Sequence, residues 1–197
     1  MSTILNVVCP VDLIHYYSML FPNLIPPIET SDMINAETKT IEEIITKGIS
    51  YVIPEYQRPF AWKVDQAQEF WEDVEAEPVF LGTLVFDVKT EKGQVIVVDG
   101  QQRLTTTFIF LAACARQLTK IKSESYAEQI WARLIFTDSI TGKTIGTKLR
   151  TSKSIREVFE ATITNREWVD GNFDAKNKKR QIKKIKPIYD FFVEKIE

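Results

Sequence analysis

The sequence predicts a mixed α/β fold with a helical C-terminal part, and three observations predict it. Residues 95–98 are a run of Val and Ile, which is typical of a buried strand. Residues 40–43, Thr-Ile-Glu-Glu, form the capping-box pattern that opens a helix. Residues 174–197 repeat apolar side chains at helical spacing. Strands and helices are therefore expected in one chain, with helices at its end.

The stretch 94–117 organises the rest of the prediction, because it joins a strand to a helix through a polar turn. Residues 95–98 are predicted as a strand covered on both faces. The following helix is predicted to be buried, since its apolar positions recur from Leu104 to Leu118 and its middle is apolar nearly all round. A helix N-terminus has unpaired amides that attract anions, phosphate above all. The turn at that terminus consists of Asp99, Gly100, Gln101, Gln102 and Arg103.

The first half of the chain predicts short elements around this centre. The capping box opens a short helix that Gly48 ends, and residues 50–53 form a strand. Residues 65–75 form a helix with Asp65 as N-cap. Residues 79–88 form a strand in which Gly82 lets another backbone or a ligand come close. That strand and residues 95–98 form a hairpin.

The second half predicts mainly helices. They cover residues 126–134 and, after a second capping box at 154–157, residues up to about 162. Residues 137–146 are predicted as a loop and 147–150 as a short strand. The final segment, 174–197, carries an apolar stripe, and Pro187 is expected to kink it or to split it in two.

Composition indicates a soluble globular protein with the cytoplasm as its expected location. The chain has 197 residues, of which 44% are hydrophobic and 26% charged, without an apolar run that could span a bilayer or a signal-peptide pattern. Cys9 and Cys114 lie far apart in sequence, and both are expected to be reduced. His15 is the only histidine, so a histidine-based metal nuclease site is not expected in this chain.

Charge is distributed unevenly along the sequence. Residues 1–99 carry 6 Lys and Arg against 16 Asp and Glu, whereas residues 100–197 carry 19 against 11. In a folded unit this can be mutual neutralisation; the alternative is a field that attracts a polyanion. The same two readings apply to a basic run on the final segment, which is either a solvated helix face or a contact to the DNA backbone. It comprises Lys176, Lys178, Lys179, Arg180, Lys183, Lys184 and Lys186.

Two polar motifs are candidates for function. Residues 53–62, IPEYQRPFAW, form a loop with three aromatic residues and Arg58, and such loops commonly bind ligands. The alternative is a hydrophobic plug with an ion-paired arginine. Residues 99–103 are either a capped strand-to-helix turn with solvated side chains or a site where Arg103 grips a phosphate bidentately. Residues 105–107 add threonine hydroxyls to the first helical turn.

Three segments together carry a resemblance to a known family. They are IPEYQRPFAW at 53–62, FLGTLVF at 80–86 and DGQQRLTT at 99–106. In that order and spacing they resemble the N-terminal domain of GmrSD-type restriction systems, which are modification-dependent (type IV) endonucleases related to ParB and sulfiredoxin. The resemblance is strong over residues 40–117 and weaker over the later helices. The reactive cysteine of sulfiredoxin has no counterpart here, so reductase chemistry is not expected.

The resemblance implies a ParB/sulfiredoxin-like core with a small mixed sheet and a nucleotide site at the glycine-arginine turn. The expected ligand is a nucleoside triphosphate, GTP or ATP, with Mg²⁺. Catalysis is assigned by position to Asp99, Gln102 and Arg103, and the metal to Asp99. The nucleotide-binding residues implied in the same way are Tyr56, Gln57, Arg58, Gly100, Gln101, Gln102, Arg103, Thr105 and Thr106.

The expected function is a nucleotide-binding and nucleotide-hydrolysing regulatory domain of an anti-phage restriction system. The alternative is a non-catalytic module that binds modified DNA. The expected division is an N-terminal arm at 1–39, a nucleotide-binding core at 40–122 and a helical extension at 123–197. We expect the extension to continue into a further domain, which in the family is commonly a His-Asn-His nuclease. DNA is an expected partner, directly or through that domain; a membrane is not, and homo-oligomerisation is left open.

Overall fold

The computed structural model describes residues 5–6, 36–45, 48–77, 79–88, 94–166 and 176–197. Most of the predicted N-terminal arm, with Cys9 and His15, lies outside these residues. Within them are six helices and eight strands. The strands are β1 (Leu5–Asn6), β2 (Thr38–Lys39), β3 (Ser50–Val52), β4 (Val85–Asp87), β5 (Gln94–Asp99), β6 (Ile135–Thr137), β7 (Thr144–Thr147) and β8 (Leu149–Arg150). The helices are α1 (Ile41–Ile44), α2 (Val64–Glu75), α3 (Gln101–Lys120), α4 (Glu124–Leu134), α5 (Arg156–Thr164) and α6 (Lys176–Ile196).

A mixed four-stranded sheet lies at the centre, in the order β4-β5-β3-β8. β5 pairs antiparallel with β4 and parallel with β3, and β3 pairs parallel with β8. The mixed α/β class predicted from the sequence is therefore confirmed. β8 comes from the segment assigned to the helical extension, yet it forms the edge of this sheet. The division into an arm, a core and an extension remains a prediction.

The helices pack mainly on one another, with α3 in the middle. α3 contacts both α4 and α6, and α6 also contacts α2 and α5. Aromatic rings fill this junction: Phe110 of α3 lies 5.3 Å from Phe192 of α6, and Phe70 of α2 lies 5.8 Å from Phe192, measured between ring centroids. Edge-on ring pairs at such distances add to the stability given by buried apolar area. The predicted burial of α3 is confirmed, and α6 is held against the core that contains α3.

Several local predictions are confirmed. The capping box at Thr40 forms, with the Thr40 amide donating to Glu43 Oε2 at 2.6 Å and the Glu43 amide donating to Thr40 Oγ1 at 3.1 Å. These hydrogen bonds lower the pKa of Glu43. The hairpin between β4 and β5 forms, although β4 covers only three residues of the predicted 79–88 strand.

Other predictions are wrong for local reasons. Asp65 is not the N-cap of α2, because Lys63 holds that position with an extended backbone. The second capping box is absent, since Ser154 Oγ pairs with Ser152 Oγ at 2.9 Å and the helix begins at Arg156 without a side-chain cap. The predicted loop at 137–146 is instead largely the turn and second strand of the β6–β7 hairpin.

The end of β5 differs from prediction, and for α6 one of two expected outcomes is removed. Val98 is 48% exposed while Val97 is buried, so β5 is not covered on both faces near its end. Alternating side chains point to opposite faces of a sheet, and only one of those faces is covered there. α6 is one helix that contains Pro187, so of the two expected outcomes, a kink or a split, the split does not occur.

Candidate functional site

The polar turn at residues 99–103 forms the junction between β5 and α3. Asp99 ends the strand, Gly100 is the N-cap with φ at +82°, and Gln101 begins the helix. A Cβ atom on Gly100 would lie 2.8 Å from the carbonyl oxygen of Thr83 and would also meet Leu84. Only glycine therefore meets both the positive φ and the close approach of the chain before β4. The backbone conformation of the turn depends on Gly100.

The first turn of α3 carries amide groups without an anionic partner. Four of the six described helices have an acidic residue in their first turn, namely α1, α2, α4 and α5, whereas α3 and α6 have none. Leu104 donates to the carbonyl of Gly100 at 2.9 Å, which begins the helical pattern. Within the described residues, the amides of Gln101, Gln102 and Arg103 find no acceptor. The positive end of the α3 dipole is thus left for an anion.

Two glutamines fasten residues 54–63, which we call the 54–63 loop, to this turn. Gln57 Nε2 donates to the carbonyls of Val97 and Val98 at 2.5 and 3.0 Å, at the end of β5. Gln102 Oε1 accepts from the Ala61 amide at 2.8 Å, and Gln102 Nε2 donates to the Pro59 carbonyl at 3.2 Å. The loop and the turn are therefore one packed unit. Gln102 is buried and occupied by these bonds, so its side chain positions the loop.

Arg103 lies in a slot formed by Gly82 and Trp62. Its Cζ atom is 5.9 Å from the centroid of the Trp62 ring. A Cβ on Gly82, whose φ is +93°, would come within 2.6 Å of Arg103 Cζ. The sequence predicted that another backbone or a ligand approaches Gly82, but the group that approaches it is the guanidinium of Arg103.

Arg103 has a hydrogen-bond donor without a partner. Its Nε is buried and has no hydrogen-bond partner, and none of the carboxylates in the described ranges forms an ion pair with it. A buried donor without a partner is costly, so such groups commonly mark a place where a ligand or water binds. This orphan donor belongs to the cation nearest the α3 N-terminus.

The remaining predicted residues lie at different depths. Tyr56 is 84% exposed and Arg58 is also exposed, whereas Thr105 and Thr106 are buried within α3. The Thr105 hydroxyl donates to the carbonyl of Gln101 at 2.8 Å. Trp62, which packs beside Arg103, was not among the predicted nucleotide-binding residues. Its place in an aromatic loop was visible, but its contact with the turn was not.

Asp99 is exposed at the mouth of the turn. The described part of the chain contains no group of three or more His, Cys, Asp or Glu side chains suited to a metal ion. Mg²⁺ at phosphate sites is typically held by one or two carboxylates together with the phosphates themselves. A single exposed carboxylate beside a helix N-terminus with free amides fits that pattern.

The start of the 54–63 loop is anchored on the opposite side. Glu55 accepts hydrogen bonds from Arg156 and, at 3.2 Å, from the Lys153 amide. Partial burial raises the pKa of this carboxyl, but the bonds and charges of Arg156 and Lys153 outweigh it, so that the pKa is lowered. Burial raises the pKa of Tyr51 in β3, next to β5, to about 12. Neither group supplies an acid or base to the turn.

Comparison with known proteins gives one match. A family model described as GmrSD restriction endonuclease, N-terminal domain, matches residues 41–196. A comparison with curated proteins finds no match. In the part of the chain that is described, no helix is long and apolar enough to cross a membrane. The chain belongs to the family of GmrSD restriction endonuclease N-terminal domains, whose role lies in DNA restriction systems.

Proposed function

We propose that this domain binds a nucleoside triphosphate at the 99–103 turn, hydrolyses it, and thereby regulates DNA restriction. The observation that carries the proposal is the first turn of α3, which contains three amides without acceptors and Arg103, whose Nε has no hydrogen-bond partner. Backbone amides at a helix N-terminus together with an arginine are a common way to hold phosphate. The resemblance to ParB-like phosphate sites supports the same reading.

Each residue has a distinct part in this proposal. Arg103 and the amides after Gly100 hold the phosphates, and their positive potential stabilises charge that develops during phosphoryl transfer. Asp99 would hold Mg²⁺, which supplies further charge neutralisation when bound, or orient a water. Tyr56 offers an exposed ring to the base. Gln57 and Gln102 set the position of the 54–63 loop. Thr105 and Thr106 are buried and are left out.

The experiment is a titration of the purified chain with GTP and ATP, followed by phosphate release. Arg103→Ala should weaken binding by roughly one to two powers of ten, because a charge-assisted contact to phosphate is worth about 2 to 3 kcal/mol. Asp99→Ala should retain part of the binding while phosphate release falls. Arg150→Ala, at an exposed arginine of β8, is the matched control and should bind as wild type does. Thermal melts check folding.

The second candidate function is a non-catalytic module that binds modified DNA. The exposure of Tyr56 and Arg58 on a loop supports it, since a projecting ring and a cation suit a displaced base and its phosphate. A DNA-free titration separates the two functions. Nucleotide binding and phosphate release without DNA support the first, whereas DNA binding without nucleotide binding supports the second. Homo-oligomerisation and a downstream nuclease remain part of the proposal for the whole system.

A further inference from the structure

A cavity lies between the 54–63 loop and α6. Its volume is about 610 Å³, which is within the usual range of ligand sites, about 300 to 1,000 Å³. No residue of the 99–103 turn lines it. The lining residues from the loop and α2 are Arg58, Pro59, Phe60, Ala61, Trp62, Lys63, Val64 and Asp65, and those from α6 are Lys183, Lys184, Pro187 and Ile188.

Four of these residues are cations, against one carboxylate. We call the cavity with Arg58, Lys63, Lys183 and Lys184 the basic cleft. Among the described residues, none of the four forms an ion pair. Like charges placed around one concavity create a positive potential that favours a polyanion.

Two other lysines of α6 are paired with carboxylates. Lys178 lies 3.6 Å from Glu157, and Lys186 lies 2.8 Å from Asp190. The unpaired lysines of α6 that line the basic cleft, by contrast, face the loop. The Lys186–Asp190 pair joins residues four apart on one helix, whereas Lys183 and Lys184 have no carboxylate three or four residues away. A solvated helix face alone does not explain why these lysines line one cavity together with two cations of the loop.

The rest of the basic cleft is apolar and aromatic. The half-buried ring of Trp62 and the side chains of Pro187 and Ile188 line it. Lys184 Nζ donates to the carbonyl of Phe60 at 3.1 Å, so the loop is fixed to α6 on this side as Gln102 fixes it to α3 on the other. Cations around an aromatic floor are the combination that binds single-stranded nucleic acid, with phosphates on the cations and bases on the rings.

We propose that the basic cleft binds a single strand of nucleic acid, separately from the nucleotide at the 99–103 turn. Arg58, Lys63 and Lys183 contact successive phosphates, and Trp62 stacks on a base. A single strand fits because the binding groups line a cavity of limited volume. A duplex keeps its bases stacked inside and presents its phosphates on a convex surface. The inference goes beyond the proposed function, and it does not require nucleotide hydrolysis.

The test is fluorescence anisotropy with a labelled oligothymidylate, the full chain and a range of salt concentrations. The variant is Lys63→Gln with Lys183→Gln, which removes two cations of the basic cleft and leaves the nucleotide-contacting groups intact. Each lost phosphate contact lowers the salt slope of a single strand by about 0.7, so two lost contacts lower it by about 1.4 and weaken binding roughly 10- to 30-fold at 0.1 M salt. The matched control is Lys179→Gln with Arg180→Gln, at exposed residues of α6 outside the cavity.

The outcomes separate this inference from the proposed function. The inference is supported if the cleft variant binds the strand more weakly than wild type, while the control variant binds the strand as wild type does and the cleft variant binds nucleotide as wild type does. This holds whether or not the turn binds nucleotide. Equal strand binding by the cleft variant and wild type overturns it. An equal loss in the control variant also overturns it, because the contact would then belong to the helix surface at large. A duplex that binds more tightly than the strand, or a free nucleotide that displaces the strand, overturns it as well.

Stacking on Trp62 gives a second readout. Strand binding to wild type should quench tryptophan emission, and Trp62→Phe should remove part of that quenching while retaining most of the affinity, since phenylalanine still stacks. The substitution keeps an aromatic ring against the core. Quenching that is the same in Trp62→Phe and wild type would place the bases elsewhere and overturn this part of the inference.

Discussion

The two sides of the 54–63 loop differ in how their polar groups are used. On the α3 side, Gln57 and Gln102 donate to backbone carbonyls and Gln102 also accepts from the Ala61 amide, so the loop is fastened to the turn. On the α6 side, only Lys184 bonds to the loop, and the other three cations of the basic cleft have no partner within the described chain. A site for a compact triphosphate needs fixed donors, whereas a site for a flexible strand needs several mobile cations. The loop separates the proposed nucleotide site from the proposed strand site.

The largest expected effect is that of Gly100→Ala on stability. The added Cβ meets the Thr83 carbonyl and demands a left-handed backbone, which together should cost about 3 kcal/mol, or roughly 6 to 12 °C in Tm. Gly48→Ala is the control, because its φ is +85° with nothing near the added atom, and it should cost only about 1 to 2 kcal/mol. Thermal melts measure both. Equal losses would mean that the turn does not depend on the close approach of the chain before β4.

The next effect tests how Gln102 fixes the loop. Gln102→Ala leaves the Ala61 amide and the Pro59 carbonyl without partners and should cost about 2 kcal/mol. The Ala61 amide should also exchange its hydrogen faster. Gln101→Ala, at the half-exposed neighbour, should change stability by less than about 0.5 kcal/mol. Unchanged exchange at Ala61 in the Gln102 variant would show that the loop is held by other contacts.

Much of the fold was predictable because it depends on local periodicity and capping. The burial of α3 and the capping box at Thr40 follow from apolar spacing and from side chains three residues apart. The site was predictable only in outline. The polarity of the 99–103 turn was visible in the sequence. The role of Gln102 was not, because it depends on hydrogen bonds with Pro59 and Ala61, which only the fold brings next to it.

The basic cleft could not be predicted for the same reason. Arg58 and Lys63 of the loop are far in sequence from Lys183 and Lys184, and only the packing of α6 against the loop brings these four cations around one cavity. The failed capping box at 154–157 has a similar cause. Ser154 matched the pattern in sequence, but its hydroxyl pairs with Ser152 instead. A local pattern cannot report a competing partner.

A smaller effect tests whether Gly82 determines the position of the Arg103 side chain. Gly82→Ala should destabilise wild type partly by strain at φ +93° and partly by pushing the guanidinium out of its slot. In an Arg103→Ala background the second part disappears. A double-mutant cycle by denaturant unfolding should therefore show coupling of about 1 to 2 kcal/mol, with the double variant more stable than the sum of the single losses predicts. Additive losses would show that Gly82 does not shape the Arg103 position.

The smallest effect concerns the anchor of the loop at Glu55. Its folded pKa is lowered from 4.5, so the stability it contributes is fully present above about pH 4.5 and is lost as the pH falls through the lowered value. The difference in Tm between wild type and Glu55→Gln should be present at pH 7 and should shrink below pH 4.5. Glu69→Gln, at an exposed carboxylate of α2, is the control. A difference that grows on acidification would contradict the assignment.

The central claim, that the 99–103 turn holds the phosphates of a nucleotide, is tested most directly by hydrogen exchange with and without nucleoside triphosphate. The account predicts slower exchange in peptides covering residues 97–104 and 56–58, since the free amides of Gln101, Gln102 and Arg103 would then bond to phosphate. A nucleoside without phosphates should protect the turn much less. Saturating nucleotide that leaves residues 97–104 unprotected, or protects only residues lining the basic cleft, would contradict the account.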